Sequence, residues 1–398
     1  MTARRVAAHV AALVVFAAVW SLAAWRLWQS KLPSGLHLGG LNVHAYFNAS
    51  EIRRAASFGT VSTWTGIATL LATLAVLAAY ARWGARFSRE SAAGRIGTGM
   101  LLGMLGFALV WAAQLPFAVL GVWWRHRYGM GGSYVQATVG NWLALGGTFL
   151  FLCLALAIVM GLARRVGRWW WLPAAPFFVG LTILFAFVTP WLLRGKSFDA
   201  PYVARLERIE HVRHVPVRVL DGFDEPNAFA TGLGASRRVF LWKPIVDPPF
   251  TPRMDRFVLA HELGHLAHNH IWKSIAWYAL FAFPGAYLLA LFTRRRGGMG
   301  VPDAIPLAIF ALVVLQLVQL PLQNVISRHL EAEADWSALR ATHDPTGGRQ
   351  LFQLFASETL EDPSPPWWDY VLLENHPTLL QRIEMTRYYA TSVVAQSP

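Results

Sequence analysis

The chain has 398 residues, 55% of them hydrophobic and only 14% charged. Soluble domains carry roughly 25% charged residues, so an ordinary water-soluble globule is excluded, and the single cysteine, Cys153, excludes a disulfide framework or a cysteine-built zinc site within one chain. The net charge of +13 would suit nucleic acid in a soluble protein, but here the arginines gather at the ends of apolar blocks, which points to membrane anchoring and to no nucleic-acid partner.

Seven blocks are long and apolar enough to span roughly 30 Å of hydrocarbon at about 1.5 Å per residue: 6–25, 60–80, 98–121, 143–162, 172–193, 273–293 and 304–325. The first follows Arg4 and Arg5 and reads as an uncleaved first helix rather than a signal peptide, because further spans follow it. Tryptophans mark block ends at Trp123-Trp124 and Trp169-Trp170-Trp171, as suits side chains at headgroup depth. Mid-span polarity is mostly Gln114, Gln316 and Gln319, without the buried acids or histidine relays of pumps, which lowers the case for a transporter.

Residues 194–272 form the largest soluble stretch. Pro201 to His214 reads as an amphipathic helix. Val215, Val217 and Val219 alternate as in a strand, Asn227 to Thr231 reads as a second strand and Val239 to Trp242 as a third, giving a small meander or hairpin. Thr251 can cap a helix that starts at Pro252. That helix carries His261-Glu262-Leu263-Gly264-His265 and is expected to run on into the sixth span.

His261 and His265, four apart on a helix, stack on one face and can reach one metal ion, while Glu262 stands where it can hold the attacking water. Zinc needs a third protein ligand if one position is to stay open. A metzincin would carry Gly at 268 and His at 271, but this chain has His268 and Ile271. No Asp or Glu occurs from 263 to 302, and the first acids beyond are Asp303 and Glu331. Glu331 lies in Ser327-Arg328-His329-Leu330-Glu331-Ala332-Glu333-Ala334-Asp335, where it shares a helical face with Asp335 while Glu333 points nearly opposite. Ala332 and Ala334 suit close helix packing. The two spans between His265 and Glu331 go out and back, returning Glu331 to the membrane side of the histidines and making it the best third ligand. His268 and His270 read as structural or solvated.

These residues resemble the integral-membrane CAAX prenyl endopeptidases of the a-factor-maturing type, a family of zinc-dependent membrane gluzincins. The match rests on the His261–His265 motif, Ser327-Arg328-x-x-Glu331-x-x-Ala334-Asp335, Asn227-Ala228-Phe229-Ala230-Thr231-Gly232, and His376-Pro377 followed by Arg382. It implies a mostly α polytopic membrane protein of about seven spans with a small zincin-like α+β catalytic domain: residues 1–195 as a membrane domain and 196–398 as a metallopeptidase domain with two inserted spans. It implies one Zn²⁺ on His261, His265 and Glu331, Glu262 as base to a zinc-activated water, and Asp335 as proton donor or support of a ligand histidine. Asn227, Ala228, Phe229 and Ala230 would bind substrate backbone as an added strand, which fits the physics of an edge strand. His376 is the candidate oxyanion donor, and Arg382 orients its turn or binds a substrate carboxylate.

The function expected is thus a membrane-embedded zinc endopeptidase acting on a peptide or protein, lipidated if the resemblance extends that far, in contact with membrane lipid in a bacterial inner membrane. A membrane-protein quality-control metalloprotease would share the site. A non-catalytic zinc scaffold would have no use for Glu262. The resemblance places the catalytic half on the cytosolic side. The loops around Arg82–Arg95, Arg164–Arg168 and Arg294–Arg296 lie opposite that half, and the positive-inside rule then puts it outside.

Overall fold

The computed structural model describes residues 3–396. Five helices come first: α1 (Ala3–Trp28), α2 (Ala49–Trp83), α3 (Gly94–Arg127), α4 (Asn141–Val166) and α5 (Trp171–Leu192). A short strand β1 (Lys196–Ser197), helix α6 (Val203–Ile209), strands β2 (Val217–Leu220), β3 (Ala228–Thr231) and β4 (Arg238–Trp242), and helix α7 (Lys243–Val246) build a soluble segment. The motif helix α8 (Pro252–Ala267) follows, then α9 (His270–Thr293), α10 (Ile305–Thr342), α11 (Pro345–Glu358), α12 (Trp367–Leu372) and α13 (Leu379–Gln396).

Among the described residues six helical segments are long and apolar enough to cross a membrane, from Ala49–Ser88 to Pro302–Thr342, and the chain is a multi-pass integral membrane protein. The first expected block falls in α1, of which Val14–Trp28 is a shorter apolar helix; the side chains of Arg4 and Arg5 lie outside the described ones. The fourth expected block, 143–162, lies within α4, and Leu150–Trp169 is the apolar stretch among the described side chains there.

Of the expected meander or hairpin, the hairpin forms between β3 and β4, while β2 joins β4 in parallel instead of pairing with β3. The sheet order is β1-β2-β4-β3, with β4 parallel to β2 and antiparallel to β3. The reason lies in β4 itself: Val239, Phe240 and Leu241 are all buried, a continuous apolar run that belongs in the middle of a sheet rather than at its rim. β3 is thereby left as the edge strand. Gly232, at φ 99°, makes the turn that leads back to β4; a Cβ there would lie 2.3 Å from the Ser236 carbonyl oxygen.

Two helices end earlier than expected. α6 stops at Ile209, because His211 takes a left-handed φ of 54° and the Glu207 carboxylate accepts the Val215 N–H at 2.8 Å. α8 does not run into the next span. Asn269 takes the left-handed conformation (φ 55°, ψ 37°), breaks the helix and starts α9 at His270 in a new direction. The start of α8 is as expected, with Pro252 as its first residue after Thr251, whose carbonyl accepts the Met254 and Asp255 N–H groups.

The core beneath the motif is apolar, with Phe257, Leu259, Leu263, Leu339, Phe352 and Ile383 at 1% exposure or less. α8 and α10 approach closely at Gly264, where a Cβ would meet Ser337 Cβ at 3.0 Å and the Ala334 backbone at 3.4 Å. The small residues expected to permit this approach, Ala332 and Ala334, are buried.

Candidate metal centre

α8 and α10 bring His261, His265 and Glu331 together from positions 66 residues apart between the second histidine and the glutamate. The His261 and His265 Nε2 atoms face each other at 3.0 Å. Glu331 reaches His261 Nε2 at 3.2 Å and His265 Nε2 at 3.5 Å. Zinc with bonds of about 2.0–2.1 Å sets tetrahedral ligand atoms about 3.3–3.4 Å apart. The 3.2 Å contact is made by Glu331 Oε2 and the 3.5 Å contact by Oε1, so the two imidazole nitrogens and the carboxylate together line a space of about that size. Two imidazole nitrogens aimed at one point beside a carboxylate are a cation-binding donor set.

His261 is fixed from behind. Its Nδ1 donates to Asp335 Oδ1 at 2.8 Å, and Arg382 grips the same carboxylate in a fork, Nε to Oδ2 at 2.8 Å and Nη2 to Oδ1 at 2.7 Å. Asp335 is 1% exposed and sealed in this pair. The arrangement suits support of a ligand histidine and gives the carboxylate no proton to donate. Burial disfavours a charge on His261, but the bonds to Asp335 and Glu331 outweigh it and push its pKa up to about 10.

Glu262 lies beside the triad, and burial pushes its pKa up. That brings a carboxylate nearer to the range of a working general base. The Ala230 backbone lies near it and favours its charged form, so the edge strand borders the base.

All of these groups except Asp335 open on a cavity of about 1040 Å³. Asn227, Ala228, Phe229 and Ala230 form one wall, and His376 and Arg382 lie at the metal end. Phe151, Thr182, Trp277, Tyr278 and Phe281 carry the cavity on between the spans. His376 is half exposed, with Nε2 3.5 Å from Glu331 Oε2 and Nδ1 2.6 Å from Asn375 Oδ1. Arg382 touches the cavity, but its guanidinium is committed to Asp335.

Two features escape a reading of the sequence. Arg328 binds the carbonyl oxygens of Tyr370, at 2.8 Å, and Glu374, and so anchors the segment that delivers His376. Its signal was its place one turn before Glu331. His270, expected to be structural or solvated, is 3% exposed and bonded to its neighbours.

Residues 203–390 match the profile of Peptidase family M48. The chain is 24% identical over 261 residues to the uncharacterized metalloprotease YhfN of Bacillus subtilis, covering 60% of this chain and 61% of that protein's length. It is 28% identical over 233 residues to a protease HtpX homolog of Syntrophobacter fumaroxidans, covering 53% of this chain and 76% of the other. Its fold is similar to that in the crystal structure of Ste24p from S. mikatae, with a TM-score of 0.73 at 17% identity over 93% of this chain and 96% of the other. The resemblance read from the sequence is borne out in family and in fold.

Proposed function

Residues 203–390 belong to peptidase family M48, and from that premise we propose that the chain is a membrane-embedded zinc endopeptidase. The observation that carries the reading is the convergence of His261, His265 and the Glu331 carboxylate with Glu262 beside it, opening on a cavity walled by the edge strand. Zinc held by that triad would supply Lewis acidity, polarising a carbonyl and acidifying water.

The chain's own residues do the rest. The β3 edge pairs with the substrate backbone, which is largely blind to sequence and holds the scissile carbonyl over the triad. Glu262 takes a proton from water, whose oxygen adds to the carbonyl carbon. The same carboxyl returns the proton to the departing amine nitrogen as the C–N bond breaks. His376 donates to the developing oxyanion. Asp335 and Arg382 keep His261 turned toward the metal.

The substrate is a peptide or protein, and the apolar extension of the cavity between spans favours an apolar or lipidated segment. A prenylated C-terminal peptide is the class to which the resemblance points. The setting is a bacterial inner membrane, with lipid but no nucleic acid as partner. The test follows cleavage of a fluorogenic peptide, with and without an attached isoprenoid, by purified wild type and Glu262→Gln, before and after chelation. Loss of cleavage on both changes is expected, and wild-type activity that survives both would sink the reading.

A further inference from the structure

The two ligand histidines are held by routes of different length. Behind His261 stands one carboxylate, Asp335, neutralised by Arg382. Behind His265 stands another histidine. His265 Nδ1 and His270 Nδ1 are 2.8 Å apart, and His270 Nε2 lies 3.0 Å from Glu333 Oε2. Glu333 is in turn fully occupied: Lys273 Nζ donates to Oε2 at 2.9 Å, and the backbone N–H of Lys31 donates to Oε1 at 2.8 Å. Lys273 also donates to the Gln29 carbonyl at 3.2 Å, which ties the exit of the first helix to the same point.

The polarity of this chain of bonds is fixed by the metal-ligand role at its inner end. If His265 offers its Nε2 lone pair toward Glu331 and His261, its hydrogen sits on Nδ1. His270 Nδ1 must then accept, so the His270 hydrogen sits on Nε2 and points at Glu333, a carboxylate that can only accept. Every donor meets an acceptor. His270 and Glu333 are 3% and 2% exposed, so water offers no alternative to a lost bond. His268 is the natural comparison, since it lies beside the same acid. Its Nδ1 is 3.8 Å from Glu333 Oε1, too far for a hydrogen bond, and its Nε2 faces Ser337 Oγ at 3.2 Å.

We propose that His270 and Glu333 form a positioning relay that sets the tautomer and ring orientation of His265, with Lys273 and the Lys31 backbone as its outer anchor. The proposal rests on the reading of His265 as a metal ligand. It makes α10 the source of both supports: Asp335 serves His261 directly, and Glu333, two residues earlier, serves His265 through His270. The left-handed turn at Asn269 is what brings His270 back against His265.

The test is metal affinity, read by competition between a zinc chelator and the purified full-length protein in detergent, with the melting temperature of each metal-free variant alongside. A partner that orients a ligand histidine changes metal affinity by about 10–100-fold. His270→Ala should lose affinity on that scale and melt somewhat lower, because it leaves buried partners unpaired. His270→Gln should recover part of it, because its amide can accept from His265 and donate to Glu333. Glu333→Gln should fall in the same direction by less, and this near-isosteric variant carries the test if His270→Ala does not fold. His268→Ala should bind as wild type does. Wild-type affinity in folded His270→Ala or in Glu333→Gln, or an equal loss in His268→Ala, would overturn the relay. A wild-type protein that binds no zinc would overturn the metal-site reading, and this one with it.

Discussion

Charge is handled differently at the two ends of the helical bundle. Around the triad, acids and bases are buried in pairs with defined geometry: Asp335 with Arg382 and His261, Glu333 with Lys273 and His270. At the far end, Arg82, Arg86, Arg95, Arg164, Arg165, Arg168, Arg294 and Arg295 are exposed, and none of them makes an ion pair among the described residues. Asp303, the acid at that end with a described partner, accepts from Ser88 at 2.5 Å. Buried pairs cost desolvation and return orientation, whereas exposed arginines cost little and act on the membrane as a whole. Substitutions at the two ends should therefore register in different measurements.

The largest effect is expected at Glu262. Glu262→Gln should lower peptide cleavage by about 10²–10⁴-fold, the usual range for a lost general base, while zinc stays bound. A loss of zinc together with activity would make Glu262 a ligand and blur the distinction between base and triad. Next comes Asp335→Asn, which leaves the Arg382 charge buried without its partner. Breaking such a pair costs about 3–5 kcal/mol, so a lower melting temperature and weaker zinc binding should appear together. An unchanged melting temperature would show that the pair is not the buried support described.

A smaller effect concerns Asp255 in the first turn of α8, a buried carboxylate with an unpartnered Oδ1. Burial pushes its pKa up to about 6, above about 3.9 in the unfolded chain. Its favourable contribution is then full below pH about 4 and is lost as pH rises through about 6. Asp255→Asn should stabilise the fold at pH 7 by on the order of 2 kcal/mol once solvent screening is allowed for, read as a higher melting temperature, and should make no difference near pH 4. A variant that melts lower at pH 7 would contradict this. The smallest effect on chemistry is expected at the arginine end. Gln at 294, 295 and 296 should leave cleavage by purified protein unchanged but lower the fraction of chains inserted in the wild-type orientation, read by reporter fusions at residues 90, 235 and 298.

The motif helix and the carboxylate that meets its histidines were legible because both depend on local periodicity and on parity: a hairpin of two spans must return Glu331 to the side of His261 and His265. The sheet was less legible, since the parallel pairing of β2 with β4 joins segments whose partner no local pattern specifies. The relay behind His265 was hidden for a different reason. A helical wheel sets Glu333 opposite Glu331, and that inference assumes that only one face of α10 meets the site. The left-handed Asn269 lets the chain wrap round and meet the other face, and one asparagine between two histidines is a faint signal for such a turn. Arg382 read as orienting the His376 turn or binding a substrate carboxylate, because nothing in its own neighbourhood of sequence names Asp335 as partner.

The central claim is that His261, His265 and Glu331 hold one zinc for which Glu262 serves as base. It is tested most directly by measuring zinc content and peptide cleavage on the same preparations of wild type, Glu262→Gln and Glu331→Gln. One zinc per chain with cleavage is expected in the wild type, one zinc without cleavage in Glu262→Gln, and loss of both in Glu331→Gln. Full zinc content in Glu331→Gln, or cleavage by Glu262→Gln at the wild-type rate, would contradict it.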